Sequence, residues 1–122
     1  MVNEAALLAL LDRFGFTRCF LEALCLAEQI ALFAAADAVL GPHGAGFANM
    51  LFMPEGALAM ELFAPGYINP VMLPAVDALR LRYYPVPARV EDQRRGYPHG
   101  EHILAPLDLI DITLRRELGA GR

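Results

Sequence analysis

The sequence predicts an α/β fold, a largely parallel sheet with helices on both faces, on three observations. Strand-like and helix-like segments alternate as β-α-β-α-β-α-β, the order that builds parallel sheets through crossover helices. Ala38-Val39-Leu40, a short apolar run, enters the turn Gly41-Pro42-His43-Gly44-Ala45-Gly46, and a helix-compatible segment, Phe47 to Phe52, leaves it. Ala57 to Leu62 reads as a buried strand, apolar except for Glu61 near its C-terminal end.

The elements follow in order. Asn3 suits an N-cap and Glu4 the positive end of a helix dipole. Leu7, Leu10, Leu11 and Phe14 share one face, and Gly15 supplies the stop. Phe16 to Leu21 reads as a strand from its Phe and Thr content. Cys25-Leu26-Ala27-Glu28 has the form of a capping box with cysteine in place of serine or threonine, and the helix Glu28 to Ala36 follows it. Met53-Pro54-Glu55-Gly56 is a turn leading into Ala57 to Leu62. Pro65 to Pro70 is a loop, Val71 to Leu79 a helix containing Pro74, and Arg80 to Val86 the last strand, limited by its prolines. Residues 87–103 are polar and aperiodic and predict a long loop. Asp108 to Leu118 closes the chain as a helix with Leu107, Ile110, Leu114 and Leu118 on one side. The whole reads as one domain: a core over 1–86, the loop over 87–103 and the helix over 104–118.

Composition excludes several function classes. The 122 residues carry a formal net charge of −4, which argues against sequence-independent nucleic-acid binding. There is no lysine and no serine. A P-loop, a Schiff-base enzyme and a serine hydrolase are therefore excluded for this chain acting alone. Cys19 and Cys25 lack a zinc or redox spacing and are expected as buried or capping free thiols. No apolar run reaches the roughly 18–20 residues of a membrane span. The start is not a signal peptide, so a cytoplasmic domain is expected, and the alanine-rich, lysine-free composition points to a bacterial source. The apolar fraction of 57% is high and suggests a surface normally covered by a partner.

The glycine turn is where chemistry is expected. Its glycines let a ligand approach the main chain closely, and the first N–H groups of the following helix form an anion site, for which a phosphate-bearing ligand is the default. Glu61, at the C-terminal end of its strand, lies on the rim where open α/β sheets bind ligands and suits ribose hydroxyls; a helix cap or an arginine partner is the alternative. His99, Glu101 and His102 form a weaker candidate metal cluster.

Asn3-Glu4, Gly15-Phe16, Glu28-Gln29, Gly41-Pro42-His43-Gly44-Ala45-Gly46, Asn49, Phe52 and Glu61-Leu62 together resemble the C-terminal half of glycosyltransferase family 61, over roughly the first 85 residues. That family includes bacterial capsular-polysaccharide proteins and eukaryotic O-linked GlcNAc and xylosyl transferases. The resemblance implies a Rossmann-like fold, like the C-terminal half of a GT-B enzyme, that holds a nucleotide-sugar donor. It implies that the N–H groups of Gly44, Ala45 and Gly46 hold the diphosphate, with His43 donating to a phosphate oxygen and stabilising the leaving group. Asn49 supports the loop or touches the donor, Glu61 takes the ribose, and Gln29 is a further donor-side position. Hexosyl or pentosyl transfer from a nucleotide sugar would need no metal or other cofactor. The glycan acceptor and general base are expected on an N-terminal half absent from these residues, so the chain is not expected to act alone. A cytoplasmic place, or one peripheral to the inner membrane, is implied. A non-catalytic nucleotide-binding module and a structural remnant acting through association are the alternatives.

Overall fold

The computed structural model describes residues 1–66, 69–90 and 103–121. They form a mixed α/β structure with a three-stranded parallel sheet, an α/β fold as expected but with one strand fewer than the alternation of segments predicts. The described residues fall into two compact units, one drawn from 1–19, 64–66, 86–90 and 103–121, the other from 20–63 and 69–85.

The second unit contains the glycine turn. Its elements are a helical turn at Leu21–Ala23, helix α2 (Leu26–Ala34), strand β1 (Ala38–Pro42), a 3₁₀ helix (Ala45–Phe52), strand β2 (Leu58–Phe63), a short turn of helix (Pro70–Met72), helix α3 (Leu73–Leu79) and strand β3 (Arg82–Pro87), which continues past Pro85. The sheet order is β1-β2-β3, and β1 pairs in parallel with β2, Ala38 opposite Leu58 and Gly41 opposite Glu61. The Arg82 N–H donates to the Ala57 carbonyl at 2.9 Å where β3 joins β2.

One apolar cluster holds these pieces together. Phe33 of α2, Phe47 and Met50 of the 3₁₀ helix, Met53, Ala57, Ala59 of β2, Val76 of α3 and Leu81 are buried in it. Alternation along β2 puts Ala59, Glu61 and Phe63 on the cluster side and Leu58, Met60 and Leu62 on the other. All six are buried, the charged Glu61 among them, so both faces of β2 are closed to solvent. Each fully buried large side chain contributes about 1.5–3 kcal/mol.

Three local expectations are corrected here. Phe16 to Leu21 does not form a strand. Residues 16–20 are irregular, and 17–20 are exposed, because β-propensity is expressed only when a neighbouring strand supplies the ladder, and none does so among the described residues. The segment expected as a helix over Phe47 to Phe52 starts earlier, at Ala45, and is a 3₁₀ helix. The capping box at α2 forms its carboxylate half, with Glu28 accepting from the Cys25 N–H at 2.9 Å. Both cysteines are free and exposed, so the expected burial of Cys19 is not found.

The first unit packs helix α1 (Glu4–Asp12) against helix α4 (Leu107–Leu118) through Leu7, Leu11, Ile110 and Leu114. Leu118, expected on that apolar side, is exposed. Asn3 precedes α1 as expected but makes no side-chain cap. Its amide instead forks onto the backbone of Ala105, donating to the carbonyl and accepting from the N–H, each at 2.9 Å. The expected loop over 87–103 is bounded by an antiparallel pair, β4 (Arg89–Val90) with β5 (Ile103–Leu104). The Arg89 guanidinium reaches both oxygens of Asp108 and holds that carboxyl below the usual carboxylate range, an exposed contact of small energetic weight. No helix among the described residues is long and apolar enough to cross a membrane.

Candidate functional site

The parallel register brings the C-terminal ends of β1 and β2 side by side. Because Gly41 lies opposite Glu61 and Pro42 opposite Leu62, His43 follows in line, and its N–H donates to the Leu62 carbonyl at 2.7 Å. The His43 ring stacks on Phe63, with centroids 4.9 Å apart and planes at 23°. Its Nδ1 lies 2.8 Å from Glu61 Oε2. The Tyr83 hydroxyl, from β3, donates to Glu61 Oε1 at 2.6 Å. All three strands of the sheet therefore contribute to one chain, Tyr83–Glu61–His43.

Burial explains why Glu61 needs both partners. Its side chain is 1% exposed, whereas that of His43 is 26% exposed. A carboxylate removed from water is tolerated when its oxygens are satisfied, and here each oxygen has a donor. The structure thus gives Glu61 contacts to a histidine and a tyrosine in place of the helix cap or arginine partner considered from sequence.

Burial also pushes the Tyr83 phenol above the usual tyrosine range, with the hydrogen bond to Glu61 and the charge of Glu61 adding to it. A phenol raised on folding loses its proton first in the unfolded chain. Stability from this group is full below about pH 10 and falls as pH rises beyond that. Urea titrations between about pH 9 and 11 are expected to show this fall in the native chain and a shallower one in Tyr83→Phe. Equal slopes in the two proteins would remove Tyr83 as the cause.

The glycine turn is built mainly by close packing. A methyl on Gly41 would meet the Phe47 ring at 3.2 Å, and one on Gly46 would meet Leu21 Cδ1 at 2.9 Å. Gly44 differs, because a methyl there would meet nothing within 4 Å and its backbone is extended, with φ 162° and ψ 178°. The 3₁₀ helix begins at the next residue, and its first bond runs from the Phe47 N–H to the Gly44 carbonyl at 3.1 Å. The N–H groups of Ala45 and Gly46 precede that bond, where a helix has donors without intrahelical acceptors.

Gln29 and Asn49 meet each other. The Asn49 amide donates to Gln29 Oε1 at 2.9 Å, and Gln29 Nε2 donates to the carbonyls of Leu21 at 2.9 Å and Leu24 at 3.2 Å. Their amides tie α2, the 3₁₀ helix and residues 21–24 together, so both act here on the frame behind the turn. Tyr83 escaped the sequence reading, which placed it only as an alternating strand residue. The available signal was a tyrosine in register with buried Leu81, whose polar tip would need a partner. His99, Glu101 and His102 lie outside the described residues, as do Tyr67 and Ile68 of the loop after β2.

A histidine anchored by a buried carboxylate, beside helix-start N–H groups and at the ends of parallel strands, can orient one imidazole toward a ligand and exchange a proton with it. The same region carries the sequence likeness. Residues 1–60 match the family described as Glycosyltransferase 61. An EGF domain-specific O-linked N-acetylglucosamine transferase of Drosophila melanogaster is 36% identical over 66 residues, 52% of this chain and 13% of the relative. The chain thus spans a small part of that protein's length. His43 and its turn fall inside the matched residues 1–60, and through that segment the chain belongs to glycosyltransferase family 61.

Proposed function

We propose that this chain binds the nucleotide-sugar donor of an inverting GT-B-type glycosyltransferase in glycan biosynthesis, and that the acceptor and general base are provided from outside these 122 residues. The observation that carries the reading is His43, anchored on buried Glu61 at 2.8 Å and adjacent to Gly44, whose missing side chain opens onto free space. The N–H groups of Gly44, Ala45 and Gly46 face the diphosphate, and His43 reaches one of its oxygens. Negative charge grows on that diphosphate as the sugar departs, and dipoles aligned beforehand stabilise it more in the transition state than in the ground state. Glu61, whose two oxygens lie against His43 and the Tyr83 hydroxyl, supports this by holding His43 in place. Gln29 and Asn49 hold the turn in place. The named relative transfers N-acetylglucosamine, which makes a uridine nucleotide the first to try. A bacterial source is read from composition, and a capsular-polysaccharide setting from the family resemblance.

Thermal unfolding with and without millimolar UDP, GDP and CMP tests the reading. A ligand that binds only the native state stabilises it by RT ln(1 + [L]/Kd), about 2.7 kcal/mol at a hundredfold excess over Kd. One nucleotide is expected to raise the midpoint of the native chain and to have no effect on His43→Ala. No shift with any of the three would sink the proposal.

A further inference from the structure

The two edges of the three-stranded sheet are finished differently. On β3 the Arg82 N–H bonds to the Ala57 carbonyl, so the backbone groups of Arg82, Tyr84 and Val86 face β2 and those of Tyr83, Pro85 and Pro87 face away. Pro85 and Pro87 have no N–H to offer, which blunts that edge against further pairing. On β1 the Asp37 carbonyl accepts from the Leu58 N–H, and the His43 N–H donates to the Leu62 carbonyl. These bonds assign residues 37, 39, 41 and 43 to β2, so Ala38 and Leu40 turn their N–H and C=O groups away from the sheet. Those outward groups make no hydrogen bond among the described residues. Nothing blunts this edge before Pro42. Residues 38–41 carry no charge, no bulge breaks their register on β2, and they are half-buried where all of β2 is buried.

We infer that β1 pairs with β1 of a second copy of this chain, antiparallel about a two-fold axis at Val39, so that two sheets join edge to edge. The strand direction selects this occupant. A parallel neighbour needs a crossover connection of about a dozen or more residues, whereas an antiparallel one related by a two-fold axis needs none. Closed two-fold pairs present the same patch twice, and this edge is its own complement. With Ala38 opposite Leu40 of the second copy, each such pair exchanges both of its backbone bonds. Val39 then meets Val39, a β-branched pair at the closer, non-hydrogen-bonded spacing. The charge pattern agrees. Asp37, next to the strand, falls opposite Gly41 of the second copy and not opposite Asp37, so no like charges meet across the axis. The two glycine turns leave at opposite ends of the joined sheet. The inference therefore stands apart from the donor-binding reading, and neither fails with the other.

Sedimentation and amide exchange on the intact chain test this. The contact is short and belongs with weak encounters, so the sedimenting mass should rise from monomer toward dimer between about 10 μM and 1 mM. A monomer throughout that range would overturn the inference and leave the edge to a strand from another protein. Exchange resolved by NMR says where the contact lies. The N–H groups of Val39 and Gly41 face β2 and should be protected at every concentration, whereas those of Ala38 and Leu40 should gain protection only as the dimer forms. A dimer in which Ala38 and Leu40 still exchange freely would place the contact elsewhere and overturn the inference. Two substitutions complete the test. Leu40→Pro removes an outward N–H without touching the β1–β2 bonds, and Ala38→Lys places charge on the edge while keeping every backbone group. Each should weaken the dimer at least tenfold, with circular dichroism reporting the fold. Folded variants that pair as tightly as the native chain would count against the β1 edge as decisively as a monomer.

Discussion

Glu61→Ala is expected to lower the unfolding free energy by about 2–3 kcal/mol. The residue is 1% exposed, and truncation to a methyl removes packed methylene groups from beneath His43. It also strips the acceptor from two donors, His43 Nδ1 and the Tyr83 hydroxyl. Breaking a fully buried ion pair can cost about 3–5 kcal/mol because the surviving charge is trapped. Here the survivors are a quarter-exposed imidazole and a neutral phenol, both of which water can reach in part, so the loss sits below that range. Urea unfolding monitored by circular dichroism measures it directly.

Glu61→Gln separates the two contributions. Its volume is nearly that of glutamate, so packing is retained, but its amide presents a donor where two donors already converge. One of the two hydrogen bonds is lost, and a cost of about 1 kcal/mol is expected. The two variants should therefore differ by the packing contribution together with the second hydrogen bond, roughly 1–2 kcal/mol. A Glu61→Ala loss below about 1 kcal/mol would mean that the Tyr83–Glu61–His43 chain does not hold the sheet ends together.

The sheet was legible because its strands satisfy local rules. β1 and β2 are apolar runs bounded by glycine and proline turns, and β3 alternates between breakers. Residues 16–20 show the limit of the same rules, since their β-propensity has no ladder to join. So short a segment cannot distinguish a period of 3.0 from 3.6 by apolar spacing, so Phe47 to Phe52 read as helix-compatible without revealing the 3₁₀ helix over Ala45–Phe52. The site was half legible. His43 and Glu61 were singled out separately, one from its turn and one from its strand end, but their contact follows from the register of β1 on β2, which no local pattern states. Tyr83 lies 22 residues beyond Glu61, and Asn49 lies 20 beyond Gln29. Such pairs are set by which strand or helix becomes a neighbour. The glycines were read as sites of close ligand approach, and the packing gives Gly41 and Gly46 a further reason to be small, the room taken by Phe47 and Leu21.

Gly44 is thereby singled out, and Gly44→Ala is expected to weaken nucleotide binding at least tenfold, about 1.4 kcal/mol, while changing stability by less than about 0.5 kcal/mol. The two effects separate because the fold itself has no use for a bare backbone at this position. Its φ of 162° is extended, which an alanine can adopt, and a methyl there touches nothing within 4 Å. On the donor-binding proposal, the added methyl would crowd the open space beside the N–H groups that lead into the 3₁₀ helix, where the diphosphate is proposed to sit. Gly46→Ala is the control with the opposite signature. Its methyl meets Leu21 Cδ1 at 2.9 Å, so it should cost about 1 kcal/mol or more in stability before any ligand is added. Denaturant midpoints and nucleotide titrations on the same two variants give both readouts. If Gly44→Ala binds nucleotide as the native chain does, the diphosphate does not lie against this backbone and the turn is a packing motif. If instead it loses binding at unchanged stability, the glycine of this turn that packing does not require is the one the ligand does.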